Sequence, residues 1–479
     1  MSERALFQPL GSLLLAASVS ACAVGPDYQP HEPPVPAQFS GTGESTPPAM
    51  PVAEFWVGFS DPTLSALVEG ALRANHDLRT ALASVERSRA LNRQSRRDLA
   101  PTVEAQAAYT ESRLAADEAP GVPAAARETE LTSADISSFW ELDLFGRVRR
   151  SIEASQASLQ ATEAEFRALQ VSIAAEVASS YFELRGLQAQ LEVARRNANN
   201  QAESLQLTQA RLDAGRGTDF DVARAKSQLA LTQSRIPALE AAERAAAHRL
   251  AVLNGQEPGA LLSRLKVAAP LPALPAQVAV GTPAELLRRR PDVQAAERRL
   301  AARTAMIGVA TADLFPRLSL NGVIGTASGD LGQLFSASAE HYRVGPQIGW
   351  AFLDLGRVRD RIAAADADAA GQLAAYEGTV LRALEETETA LIRYQRSREE
   401  TAHLHSSVQA AERASELARL RYDGGIADFL QVLDAERTQL QAEDAWAQSR
   451  TRGATALVGV YRSVAGGWSQ KLPVQLSRN

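Results

Sequence analysis

Residues with chemical capacity are few in this chain, and most are scattered. The histidines are His31, His76, His248, His341, His403 and His405. His403 and His405 stand two apart, so on a helix they face different directions and do not easily share a metal. Cys22 is the sole cysteine, which excludes an internal disulfide and a cysteine-based metal site. The sequence has no phosphate-cradling glycine loop, nucleophile elbow or metal-ligand cluster. Enzymatic chemistry therefore finds little support. One constellation does have mutual spacing: Leu430, Asp434 and Arg437. Steps of four and three put all of them on one helical face. On spacing alone, Asp434 and Arg437 are most simply a surface pair worth about 0.2–0.5 kcal/mol.

The elements that would carry these residues are set by composition and length. The chain has 479 residues, 45% apolar and only 5% aromatic, with long Ala-, Glu-, Arg- and Gln-rich stretches. That composition favours long, closely packed helices. The net charge of −6 gives no general case for a nucleic-acid partner. Arg4, a short apolar run from Gly11 to Val19 and small residues up to Ala21 read as a secretory signal over residues 1–21. Val19-Ser20-Ala21-Cys22 resembles a bacterial lipobox, in which the cysteine is acylated and becomes the mature N-terminus. Ala23, in place of Asp, then favours sorting to the outer membrane. One acyl chain holds a protein only marginally, and stable anchoring takes several chains or a second membrane contact. No later segment offers the run of about 20 apolar residues of a membrane helix, so no transmembrane helix is expected; a chain anchored at a membrane could still cross it as a β-barrel.

Self-similarity organises the rest. Trp140-Glu-Leu-Asp-Leu-Phe-Gly-Arg-Val-Arg and Trp350-Ala-Phe-Leu-Asp-Leu-Gly-Arg-Val-Arg lie 210 residues apart. Arg211 to Gly215 aligns with Arg421 to Gly425, and Leu99-Ala100-Pro101 with Leu314-Phe315-Pro316. The expected layout is a lipidated tether over 22–54, a first repeat over 55–265, a Pro-rich linker over 266–282, a second repeat over 283–467 and a tail over 468–479. Each repeat contains a helical stretch, two alternating segments, a very long helix, a glycine turn and a shorter helix. Pro237 should kink or end the shorter helix of the first repeat.

The alternating segments lie at about 102–114, 132–145, 316–327 and 341–355. Ala134, Ile136, Ser138, Trp140, Leu142 and Leu144 share one face of a strand and Asp135, Ser137, Phe139, Glu141 and Asp143 the other. Such segments have the roughly 9–11 residues a membrane strand needs, with the alternation of a barrel wall. A soluble half-buried sheet has the same pattern. Four strands cannot close a barrel, and an open edge is forbidden in hydrocarbon. Membrane strands here therefore require oligomers, and a conducting lumen favours three chains over two. A helix of about 67 residues would span roughly 100 Å, although helix pattern alone also fits a plain coiled coil.

These residues together resemble a known family, the TolC-like outer-membrane factors of tripartite efflux pumps, in their lipoprotein branch. The carrying segments are Val19 to Cys22; Gly25-Pro26-Asp27-Tyr28; Phe55-Trp56 with Asp61-Pro62 and Leu64; Arg289-Arg290-Pro291-Asp292-Val293; Gly424 through Arg437; and Gly466-Gly467-Trp468. The resemblance implies a mainly α-helical chain with a membrane β-barrel, three copies forming 12 strands and a periplasmic helical barrel. It implies a passive exit duct for drugs or other small toxic compounds, with a membrane-fusion adaptor and an inner-membrane pump as partners and no cofactor. It assigns Leu430 to an apolar constriction, Asp434 to an acidic ring and Arg437 to a latch at the periplasmic gate. Asp219, Asp221 and Asp428 would add acidity at that mouth. Arg211, Gly215, Arg421 and Gly424 become candidates for adaptor contact, though any tight helix–helix turn uses glycine. In the first repeat Asp221, Ala225 and Gln228 replace the gate residues, so the ring is expected from the second repeat alone. The alternatives are a lipid-anchored periplasmic coiled-coil adaptor or scaffold, or the exit duct of a type I protein secretion or metal efflux system.

Overall fold

The computed structural model describes residues 23–31, 33–40, 54–275, 278 and 280–465. In chain order its helices are α1 (Pro62–Ala74), α2 (His76–Arg97), α3 (Arg147–Asp213), α4 (Asp219–Leu253), α5 (Leu262–Leu265), α6 (Pro283–Arg289), α7 (Pro291–Ala312), α8 (Leu355–Asp423) and α9 (Phe429–Ser463). The strands are β1 (Thr102–Arg113), β2 (Glu128–Leu142), β3 (Arg317–Ser328) and β4 (Glu340–Gly349). Two compact units emerge. One contains the described part of the first 32 residues with Ser84–Glu163 and Ala295–Glu377; the other contains the described parts of Pro33–Ala83, Ala164–Gln294 and Gly378–Asn479.

In the first unit the four strands form one antiparallel sheet in the order β1-β2-β3-β4. Pro101 and Pro316 lie just before β1 and β3, where they cannot prolong the preceding helices. The second strand begins earlier than expected and stops at Leu142, because Asp143 turns away to cap α3. Its carboxylate accepts the backbone N–H groups of Val148 at 3.0 Å and Arg149 at 2.9 Å. The fourth strand stops at Gly349 and not near 355, because Asp354 N–H donates to the Ala351 carbonyl at 2.9 Å in the turn that opens α8.

In the second unit two helix starts show a clear local chemical reason. Asp61 caps α1, accepting from Thr63 at 2.8 Å and Leu64 at 3.1 Å, with Pro62 at the first helical position. Thr282 and Glu285 form a capping box on α6. Phe55 stacks on Tyr461 at 5.0 Å, and Phe59 meets Phe182 edge-on at 5.0 Å. Phe39, Val280, Leu391, Leu457 and Val460 bury together beside them. Gly186 on α3 lets α9 approach: a Cβ there would sit 2.0 Å from the Thr451 hydroxyl. Pro237 does not end α4, which continues to Leu253. It forfeits one ladder bond, while Arg235 beside it is ion-paired with Asp444 of α9.

Candidate functional site

The sheet has two chemically distinct faces. The pairing rows Ala105↔Ile136↔Ile324↔Tyr342 and Val103↔Ser138↔Gly322↔Val344 put one set of side chains on one side. That face also carries Tyr109, Trp140, Leu318, Leu320 and Ile348. Its apolar groups are uncovered: Tyr342 is 81% exposed, Ile348 71% and Val103 66%. The opposite face carries Glu104, Gln106, Asp135, Ser137, Asn321, His341, Arg343 and Gln347, with Leu131, Phe139 and Val323 among them. Asn321 donates to Gln347 at 2.6 Å, and His341 Nε2 lies 3.2 Å from Asp135 Oδ1. This contact passes over Gly325, where a Cβ would come within 2.1 Å of Asp135 Oδ1. Among the described residues β1 and β4 have no strand on their outer edges. No helix of the described residues is long and apolar enough to cross a membrane.

The two helix–helix turns are built alike. Gly215 (φ +69°) and Gly425 (φ +72°) occupy left-handed positions that favour glycine. Gly215 N–H donates to Leu212 at 2.9 Å and Arg216 N–H to Arg211 at 2.8 Å. Gly425 repeats this with Tyr422 at 3.0 Å and Ile426 with Arg421 at 2.9 Å. Both are Schellman motifs, and in the second repeat the left-handed residue is Gly425, not Gly424. The Arg211 guanidinium lies 3.8 Å over the Tyr422 ring and donates to the Tyr422 carbonyl at 2.9 Å. Arg421 is exposed.

Beyond the turns, Asp428 caps α9 by accepting from Gln431 at 3.2 Å. Thr218 caps α4, accepting from Asp221 N–H at 3.2 Å while its hydroxyl donates to the Asp221 carboxylate at 2.7 Å. Asp428 and Asp221 thus hold helix starts, and Asp219 opens α4 without a cap contact of its own. At the start of α9, Phe429, Val432 and Leu433 bury against Tyr422 and Ala225. The other side exposes Leu430, Asp434 and Arg437, with Arg437 donating to Asp434 at 2.6 Å. Ala225, the first-repeat counterpart of Asp434, is turned into the core.

Sequence reasoning passed over two carboxylates on the inner side of α9. Glu436 is 3% exposed and accepts from Ser204 at 2.7 Å and from Arg419 at 2.8 Å. Glu443 is equally buried and accepts from Asn197 and Arg196, each at 2.8 Å. They lie seven apart, facing Asn197 and Ser204, also seven apart, on α3. That shared heptad spacing was the available signal. Cys22 and Gly466-Gly467-Trp468 lie outside the described residues. No group of three or more His, Cys, Asp or Glu is placed to hold a metal among the described residues.

The chain belongs to the outer membrane efflux protein family, whose model matches residues 67–256 and again 282–466, once per repeat. It is an outer-membrane channel of an efflux system and not an enzyme. Nodulation protein T of Rhizobium leguminosarum bv. trifolii is 32% identical over 434 residues, 90% of each chain. The toluene efflux pump outer membrane protein TtgI of Pseudomonas putida is 31% identical over 471 residues, 96% of this chain and 98% of its own. The outer-membrane channel OprN has a solved structure that superposes with a TM-score of 0.85 at 44% identity, covering 93% of this chain and all of OprN. The TolC-like fold, mainly helical with four antiparallel strands, is therefore shared.

Proposed function

We propose that three copies join β4 of one to β1 of the next and close a 12-stranded barrel around a water-filled lumen. The carrying observation is an open sheet with an uncovered apolar face, a polar face and two unpaired edges. In hydrocarbon each unpaired backbone group costs several kcal/mol, which only closure removes. Apolar residues then meet lipid, with Trp140 and Trp350 near one rim and Tyr109 and Tyr342 toward the other, as in aromatic girdles. Cys22 carries the acyl anchor as the second membrane contact.

In the same reading, Leu430, Asp434 and Arg437 line the periplasmic opening and close it at rest. Their exposure on the side of α9 opposite Phe429 and Val432 supports this role. Carboxylates gathered round an axis repel one another and draw cations. Asp219, Asp221 and Asp428 add negative charge at this mouth. Arg211, Gly215, Arg421 and Gly424 with Gly425 form the turns that a periplasmic adaptor grips, coupling the duct to an inner-membrane pump. The exported class is small toxic compounds, including organic solvents, by likeness to the toluene pump component.

Mass measurement of the detergent-extracted complex should give three chains, and planar bilayers should show discrete channels. Replacing Asp434 and Arg437 by alanine should raise single-channel conductance several-fold. A monomer in lipid would end the barrel reading, whereas unchanged conductance of a trimer would end the gate assignment alone.

A further inference from the structure

The sequence predicts an extended tether from Cys22 to the folded body, and residues 23–31 sit in a site of their own. Val24 N–H donates to the Phe145 carbonyl at 3.1 Å. Arg150 at the start of α3 has a side chain only 5% exposed. Its guanidinium donates to Val24 O at 3.1 Å, Gly25 O at 3.2 Å, Asp27 Oδ1 at 2.7 Å and Glu153 Oε2 at 2.7 Å. Three of these four acceptors belong to the segment, and a buried guanidinium stripped of acceptors is strongly destabilising.

Glycines shape the site. A Cβ on Gly146 (φ +81°) would lie 2.6 Å from Ala23 Cα. One on Gly25 (φ +89°) would lie 2.4 Å from Gly308 Cα, and one on Gly308 would lie 2.8 Å from Arg150 Cγ. Further along, Tyr28 packs on Ala157, Ala301 and Ala302 and donates to Glu297 at 3.1 Å. The second repeat has no equivalent among the described residues. Gly356, the counterpart of Gly146, has nothing within 4 Å of a Cβ, and Arg93 stands where Gly308 stands in the other repeat.

We propose that this groove is a binding site for the chain's own mature N-terminal segment, and that it fixes the acylated N-terminus at the junction where β2 leaves the membrane. The anchor and the sheet then act as one mechanical element. A free stretch of about ten residues would let the anchor wander over roughly 17 Å; the docked segment gives it almost no slack. The anchoring half of this proposal rests on acylation of Cys22.

The test compares the native chain with Gly25→Ala, each assembled in lipid, with and without the acyl group; the lipid-free forms carry Cys22→Ser behind an ordinary cleavable signal. Chymotrypsin should cut after Tyr28 at least tenfold faster in Gly25→Ala. Loss of the acyl group should lower the thermal dissociation midpoint in the native background and leave it unchanged in Gly25→Ala. Equal cleavage rates, or an equal midpoint drop in both backgrounds, would overturn the proposal. Should Gly25→Ala not assemble, Asp27→Asn removes one charged contact without changing volume, and cleavage no faster than in the native chain would overturn the docking site in the same way. A mature chain whose mass shows no acyl group would end the anchoring reading, while the cleavage comparison would still decide the docking site.

Discussion

Trp350 donates its indole N–H to the carbonyl of Leu314 at 3.0 Å, and Trp140 makes the same bond to Leu99 at 2.9 Å. The two bonds are the duplication expressed in geometry. In each repeat the end of the helix before the hairpin is tied to the point where the chain leaves the sheet. Trp140→Phe and Trp350→Phe should each cost about 1 kcal/mol, the net worth of one hydrogen bond. Because the corners share no partner, the double variant should be additive within about 0.5 kcal/mol. Denaturant midpoints of the assembled protein would measure this.

Gly325 should not accept a side chain. A Cβ would meet Asp135 Oδ1 at 2.1 Å and the Ala134 carbonyl at 2.5 Å. Gly325→Ala should therefore cost about 1–3 kcal/mol through overpacking and break the Asp135–His341 contact. Gly345 on β4 has nothing within 4 Å, so Gly345→Ala is the control expected to leave heat resistance nearly unchanged.

Arg290 explains the Arg-Pro-Asp-Val motif as a joint. Its guanidinium, 8% exposed, reaches Asp292 at 2.7 Å, Glu386 at 2.8 Å and the Ser463 carbonyl at 3.0 Å. It thus ties the start of α7 to α8 and to the end of α9. Arg290→Ala should cost about 1–3 kcal/mol, because the buried Ser463 carbonyl loses its donor while Asp292 and Glu386 can turn to water. Arg290→Lys keeps the charge but loses the planar fork, and should fall between. Unfolding of the detergent-solubilised protein would rank the three.

Alkaline pH should loosen the second unit. Burial and the acceptor Asp61 push the Tyr181 hydroxyl up to about 12, and burial pushes Tyr394 up to about 12. Raised values mean that the folded state holds these protons more tightly than the unfolded chain, whose tyrosines titrate near about 10. Their stabilisation is complete below about pH 10 and declines as pH rises toward about 12. The melting midpoint should fall across that window, and less steeply in Tyr181→Phe and Tyr394→Phe.

The parts legible in sequence were those with a local period. Ile136 and Trp140 against Asp135 and Ser137 mark a strand because neighbouring residues point to opposite faces. Leu430, Asp434 and Arg437 fall on one helical face for a similarly local reason. What stayed hidden depends on partners far away in the chain. Glu436 looks like one more surface carboxylate until Ser204 and Arg419 close over it. Arg150 looks like part of a basic run until Val24, Gly25 and Asp27 surround it. Gly424 and Gly425 are adjacent and identical in type, and the φ of +72° shows that the turn requires Gly425, the residue the repeat aligns with Gly215. The end of β4 is hard to place from sequence because Trp350 and Phe352 keep the alternation after the ladder has stopped.

The two-faced ladder also limits how the gene can change length. Each residue in β1 to β4 owes its side to parity, so inserting or deleting one codon inside a strand would trade oil for water at every later position. Asp135 would turn to the apolar face and Ile136 to the polar one. Only connections such as 114–127 and 329–339 can absorb odd-numbered additions, and they are where epitope tags should be introduced.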